Sequence, residues 1–139
     1  MNVKDQIITD EYAIYNGDCV DVVSSLADNS VDLSVYSPPF CGLYNYSSDH
    51  RDMSNCETRE QFLAQYEYLV EQIARVTKPG RITAVHCTDV FDNACRLWDF
   101  PHEIIRIHEK HGLQYRNLSL IHISEPTRPR FGSRMPSSA

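Results

Sequence analysis

The 139-residue chain is poor in glycine: the five it has, at 17, 42, 80, 112 and 132, never fall two residues apart, so no Gly-x-Gly turn is present. Its five cysteines, at 19, 41, 56, 87 and 95, form no Cys-x-x-Cys pair and are odd in number, which argues against a zinc cage and a complete disulfide framework. No apolar run approaches the length of a membrane span, and Met1-Asn2-Val3-Lys4-Asp5 lacks the basic and apolar regions of a signal peptide. The expectation is a cytoplasmic protein with no membrane partner and no metal. Basic excess is missing as well. Against 19 acidic residues stand 13 Lys and Arg, a net charge of −6, whereas a free-standing nucleic-acid-binding domain usually carries surplus positive charge. Any contact with DNA must then be local or come from another region.

With 42% hydrophobic residues, the chain has enough apolar material for one domain or part of one. Its organising stretch is Val31-Asp32-Leu33-Ser34-Val35-Tyr36-Ser37-Pro38-Pro39-Phe40. Alternating β-branched residues predict a strand, which ends in Ser-Pro-Pro-Phe. Two prolines fix φ and donate no N–H, leaving the carbonyls of Ser37 and Pro38 to accept hydrogen bonds. With the Ser37 hydroxyl and the flat face of Phe40, such a loop suits an exocyclic amine on an extruded base: two acceptors on its N–H groups favour a pyramidal nitrogen with a freed lone pair. A plain Pro-Pro turn after a core strand is the competing reading.

Upstream, Tyr12 to Tyr15 predicts a strand closed by Asn16-Gly17 and leading to Asp18; Val20, Val22, Val23 and Leu26 then recur at helical spacing up to Asp28-Asn29-Ser30. This β-α-β pattern predicts parallel strands with Asp18 and Ser37 at the same edge. Asp18 suits a helix N-cap on local grounds. Downstream, Cys41 to Cys56 is a polar, Tyr-rich loop containing Tyr44, Tyr46, Asp49, His50 and Arg51, able to line a pocket or to touch DNA through Arg51. Thr58 with Gln61 has capping character, and Phe62, Tyr66, Leu69, Val70, Ile73 and Val76 trace one helical face. Gly80 is expected to supply that helix's left-handed cap. Ile82 to Cys87 predicts a further parallel strand, ending in His86 and Asp89 with a structural or substrate-lining role. Val90 to Phe100 reads as irregular, Pro101 as a helix start, Gly112 as its end, and Leu113 to Leu118 as a last strand.

Ser37-Pro38-Pro39-Phe40, preceded by Asn16-Gly17-Asp18-Cys19 and Asp28-Asn29-Ser30-Val31-Asp32-Leu33, resembles the amino-methylating DNA methyltransferases that act on cytosine N4 or adenine N6. The likeness of order and spacing runs from about Tyr12 to Leu118. Arg75-Val76-Thr77-Lys78-Pro79-Gly80 also resembles a turn common in methyltransferases. The resemblance implies an α/β, partial Rossmann-like methyltransferase fold: an incomplete, mostly parallel sheet flanked by helices. It implies Ser37, Pro38, Pro39 and Phe40 as the catalytic motif. Asp18 and Cys19 would meet the adenine end of S-adenosylmethionine, and the partner would be double-stranded DNA with a flipped target base. Ser at the first motif position leans towards cytosine N4 over adenine N6. A cysteine nucleophile at Cys41 fits poorly, because the motif of C5-methylating enzymes has a single proline.

The family's Gly-rich cofactor turn has no counterpart among the glycines present. In permuted members that half follows the catalytic half, and its strands lie between the strand leading to Asp18 and the one leading to Ser37. Residues 1–118 are therefore expected to be the N-terminal, catalytic-motif part of a methyltransferase domain, inactive alone. Residues 119–139, rich in Pro, Arg and Ser, read as a non-native or disordered tail, and Ser119 to Pro129 resembles translated sequencing-adapter read-through. The alternatives are a non-catalytic, DNA-associating module and an amino-methylase of RNA or of a protein amide.

Overall fold

The computed structural model describes residues 3–39, 46–91 and 96–119. Phe40, Cys41, Tyr44 and nearly all of the expected tail lie outside the described residues. The elements are β1 (Val3–Ile8), β2 (Ala13–Gly17), α1 (Cys19–Ser24), β3 (Val31–Tyr36), α2 (Arg59–Val76), β4 (Thr77–Val85), β5 (Val90–Phe91), β6 (Leu97–Trp98) and α3 (Phe100–Lys110), with a short 3₁₀ turn at Met53–Asn55 before α2. They form three two-stranded ladders: β1 antiparallel to β2, β3 parallel to β4, and β5 antiparallel to β6.

The core gathers on α2. Its N-cap is Thr58, whose hydroxyl accepts from Gln61 N at 3.2 Å, while Gln61 Oε1 accepts from Glu57 N at 3.2 Å, so two amides at the helix start are satisfied reciprocally. The expected face is the buried one: Phe62, Tyr66, Leu69, Val70, Ile73 and Val76. Phe62 meets Trp98 edge-on at 6.1 Å and Phe100 at 5.6 Å between ring centroids, and α3 adds Ile104 and Ile107 to the cluster. α3 starts as expected, with Asp99 as N-cap accepting from His102 N and Pro101 in the first turn, where a missing N–H costs nothing. Gly112, at φ +86°, follows its end, donating N–H to Glu109 O at 3.0 Å.

α1 buries none of its residues and is held through its C-terminus. Arg75 of α2 donates to the carbonyls of Val23, Ser24 and Leu26, and pairs with Asp28, filling acceptors that a helix end leaves open.

Four expectations change. Residues 3–8 form β1, which pairs with β2; no strand was expected there. Gly80 is left-handed at φ +76° but does not cap α2, whose C-cap is the extended Thr77 with its hydroxyl on Ile73 O. Gly80 lies instead in the bulge of β4, where the register jumps from Val31↔Thr77 to Leu33↔Ile82 and Lys78 and Arg81 both reach Asp32, at 2.6 and 3.0 Å. Residues 90–98 contribute the β5–β6 pair. Residues 113–119 form no strand. As expected, β2 and β3 belong to different ladders.

Candidate functional site

The β3–β4 ladder carries Ser37 to a polar mouth. His86 N donates to Tyr36 O at 2.9 Å, and one residue further the Ser37 hydroxyl donates to His86 O at 2.9 Å. The hydroxyl proton is thereby committed, and the remaining Ser37 Oγ lone pairs are left to accept. Ser37 is exposed, Pro38 buried and Pro39 half-buried, so the turn is anchored by its first proline and open at its serine.

Behind the motif, Tyr36 is tied to the helical core. The His108 Nδ1–H donates to Ile104 O at 2.7 Å, since a carbonyl only accepts; Nε2 therefore accepts the Tyr36 hydroxyl at 2.8 Å. Tyr66 completes the chain, its hydroxyl donating to the Tyr36 oxygen at 3.0 Å. Burial pushes the Tyr36 phenol up to about 12 and the Tyr66 phenol up as well, and it holds the His108 imidazole below its ordinary value. All three are neutral at pH 7.

At the other strand end Asp18 is the N-cap of α1: Oδ1 accepts from Val20 N at 2.9 Å, while Oδ2 lies 3.5 Å from Arg51 Nη1. The capping role weighed from sequence is thus filled by one oxygen. Cys19 opens α1 and is exposed. Arg51, half exposed, bridges Asp18, Asp21 and Asp49, each at 3.5 Å. Asp18, Cys19, Ser37, Pro38 and Pro39 all line one cleft of about 610 Å³ that opens between β2 and β3. The expected convergence of the two strand ends therefore holds, although the strands do not pair.

A smaller recess of about 370 Å³ is lined by Ser37, Pro38, Pro39, Tyr46 and Asp52. Sequence reasoning placed Tyr46 only in a pocket-lining loop and passed over Asp52. A signal was there: an Asp in a serine-rich stretch before a helix cap builds a self-bonded turn. Asp52 Oδ1 accepts from Ser54 N at 2.9 Å and from Ser54 Oγ at 2.6 Å, and Oδ2 from Ser47 Oγ at 2.8 Å. His86 and Asp89 are both exposed, and it is the His86 backbone, not its ring, that orders the motif. Among the described residues no cluster of His, Cys, Asp or Glu could hold a metal ion, and no helix is long and apolar enough to cross a membrane.

No family model matches the chain. The chain is similar to the Type II methyltransferase M.BglII of Bacillus subtilis, 38% identical over 67 residues, which is 48% of this chain and 17% of that protein. A solved structure designated a DNA modification methylase from Thermus thermophilus superposes with a TM-score of 0.59 at 24% identity, covering 73% of this chain and 38% of that one. This chain shares the fold of the part it covers. The same Thermus protein in complex with S-adenosyl-L-methionine gives a TM-score of 0.53 at 22% identity over 69% of this chain and 39% of that one. The chain thus spans less than two fifths of the methylase structures it matches and a smaller share of the curated relative. The partial Rossmann-like α/β architecture expected from sequence is the one observed, with β3–β4 as its parallel element.

Proposed function

We propose that the chain is the catalytic-motif part of an S-adenosylmethionine-dependent DNA methyltransferase that modifies the exocyclic amine of a base flipped out of double-stranded DNA, cytosine N4 in preference to adenine N6. The observation that carries this reading is the committed Ser37 proton: with its O–H on His86 O, Ser37 faces the recess as an acceptor. The amine N–H groups go to Ser37 Oγ and the Pro38 carbonyl, and Phe40 supplies the stacking face. Holding the amine this way raises the electron density of its lone pair in the direction of attack.

The residues at the neighbouring strand end fit the cofactor. Asp18 Oδ2 faces a guanidinium nitrogen at 3.5 Å and keeps acceptor capacity for an adenine amino group, and Cys19 lies beside it on the same cleft wall. The cofactor, when bound, supplies an activated methyl on a sulfonium. Asp18 orients its adenine end, and the Ser37 turn orients the amine.

The cleft between β2 and β3 also supports the fragment reading. Among the described residues β2 pairs only with β1 and β3 only with β4, while Ile14, Leu33 and Val35 are 56%, 59% and 71% exposed. Unpaired strand edges beside apolar surface call for further strands. Gly-rich cofactor-binding strands supplied by sequence outside this chain would fill that gap. Calorimetric titration of the 139-residue chain with S-adenosylmethionine is therefore expected to give no saturable heat; micromolar binding at one site per chain would overturn the fragment reading. In a full-length protein containing this chain, Ser37→Ala is expected to lose about 2.7–4 kcal/mol of barrier lowering, measured as tritium transfer into DNA. Near-normal turnover would remove Ser37 from the mechanism and favour a non-catalytic module.

A further inference from the structure

The recess in front of Ser37 has a second wall that the Ser-Pro-Pro-Phe motif does not provide. Tyr46 and Asp52, from the loop that follows the motif, line it together with Ser37, Pro38 and Pro39. The two are built into one turn. Tyr46 N donates to Ser54 Oγ at 3.4 Å, Ser54 Oγ and N donate to Asp52, and Asn55 Nδ2 ties the turn to the carbonyls of Ser47 and Asp49. Met53 and Ser54, at 9% and 1% exposure, anchor that turn to the α2 core. The carboxylate is thus held from behind by a buried support, while the recess stays open in front of it.

Resting on the methyltransferase reading above, we propose that Asp52 is the electrostatic partner of the motif: with both amine N–H groups held by Ser37 and Pro38, its carboxylate faces the amino-substituted heterocycle that lies against Tyr46 and stabilises the positive charge that develops on nitrogen.

The chemistry calls for such a group. As the amine lone pair forms the N–CH₃ bond, the S–CH₃ bond breaks and its electron pair returns to sulfur, so the sulfonium becomes a neutral thioether and the positive charge moves to nitrogen. The surplus N–H proton then leaves to water. A serine at the head of the motif is neutral and offers that nitrogen only a dipole, whereas a fixed carboxylate within the same recess offers a full charge. Hydrogen bonds from Ser54 and Ser47 fill the acceptor sites of Asp52 and fix its carboxylate in place, so that it acts on the amine through its charge. Partial burial works against its charge, but the bonds from Ser54 and Ser47 outweigh that and hold the carboxyl below its ordinary range. Asp52 therefore acts as a fixed anion rather than as a base. The recess, about 370 Å³, also has an aromatic wall on which a planar ring can rest.

The test is steady-state methylation of duplex DNA by a full-length protein containing this chain. Asp52→Asn keeps an oxygen for the Ser54 bonds and removes the charge. It is expected to lower kcat by about 10²-fold with the KM for S-adenosylmethionine unchanged. Asp52→Glu should restore part of that loss. Ser54→Ala removes a prop of the turn but leaves the charge, and should cost less than about tenfold, below the loss of the charge itself. Tyr46→Leu should raise the KM for DNA while Tyr46→Phe does not. Turnover of Asp52→Asn within about threefold of wild type, too little for a lost charge at the reacting nitrogen, or equal losses in Asp52→Asn and Ser54→Ala, would overturn the proposal and leave Asp52 as a scaffold of the turn. Absence of methyl transfer into DNA by the wild-type protein overturns the methyltransferase reading itself, and this proposal with it.

Discussion

The two sides of the molecule are built to different standards. Around α2 and α3, Phe62, Tyr66 and Phe100 are wholly buried and Trp98 is 7% exposed, a cluster closed by its own aromatic and aliphatic neighbours. Around α1 and the β2 and β3 strands, Ile7, Ile8, Ile14, Leu33 and Val35 are each more than half exposed, and α1 only half-buries Val20 and Val23 against the helical core. The helical side satisfies itself. The strand side carries alternating apolar residues with no described layer of this chain to cover them, and the candidate site lies along the line where the two sides meet.

The difference can be broken from the helical side first. Phe62→Ala removes a ring that touches Trp98, Phe100 and Tyr66, and is expected to cost about 3–5 kcal/mol in urea unfolding of the chain. A loss below about 1 kcal/mol would mean that the helical cluster is no better packed than the strands.

The next test concerns pH. Burial holds His108 below the ordinary imidazole value of 6.5, so the unfolded chain takes up its proton before the folded one does. Stability from this group is therefore complete above about pH 6.5 and falls as pH drops from there through the lower folded value. The groups around the ring are the neutral phenols of Tyr36 and Tyr66 and the second imidazole of His111, which is paired with Glu67; Lys110 and His111 hold that carboxylate below its own range, so its contribution is lost only in stronger acid. His108→Gln should flatten the pH dependence of the urea midpoint below about pH 6.5, the ordinary imidazole value. An unchanged slope would place the acid sensitivity elsewhere.

The smallest effect belongs to the strand side. Val35→Ser is expected to shift the stability of this chain by no more than about 0.5 kcal/mol, because Val35 is 71% exposed. In a full-length protein whose further strands cover β3, the same change should cost about 1.5–3 kcal/mol. Equal values in the two settings would deny that anything docks on that face.

What could be read directly from the sequence was whatever rests on neighbours within a turn or two. The α2 stripe from Phe62 to Val76, the Thr58 cap, the Pro101 helix start and the delivery of Ser37 by a strand all follow from local periodicity and local hydrogen bonds, and all are observed. The sequence also carried the nearness of Asp18 and Ser37, which line one cleft although their strands belong to different ladders. The β1–β2 hairpin, closed by the turn from Thr9 to Tyr12, is equally local, though no strand was expected at residues 3–8. Tertiary structure decided the rest. Gly80 sits in a bulge whose flanking Lys78 and Arg81 both meet Asp32, far away in sequence, across the parallel ladder. The Tyr36–His108 bond joins residues 72 positions apart, and the Ser37–His86 bond residues 49 apart. Such contacts arise only once packing has brought distant segments within hydrogen-bond reach, and they are what fix the Ser-Pro-Pro turn and commit the Ser37 proton.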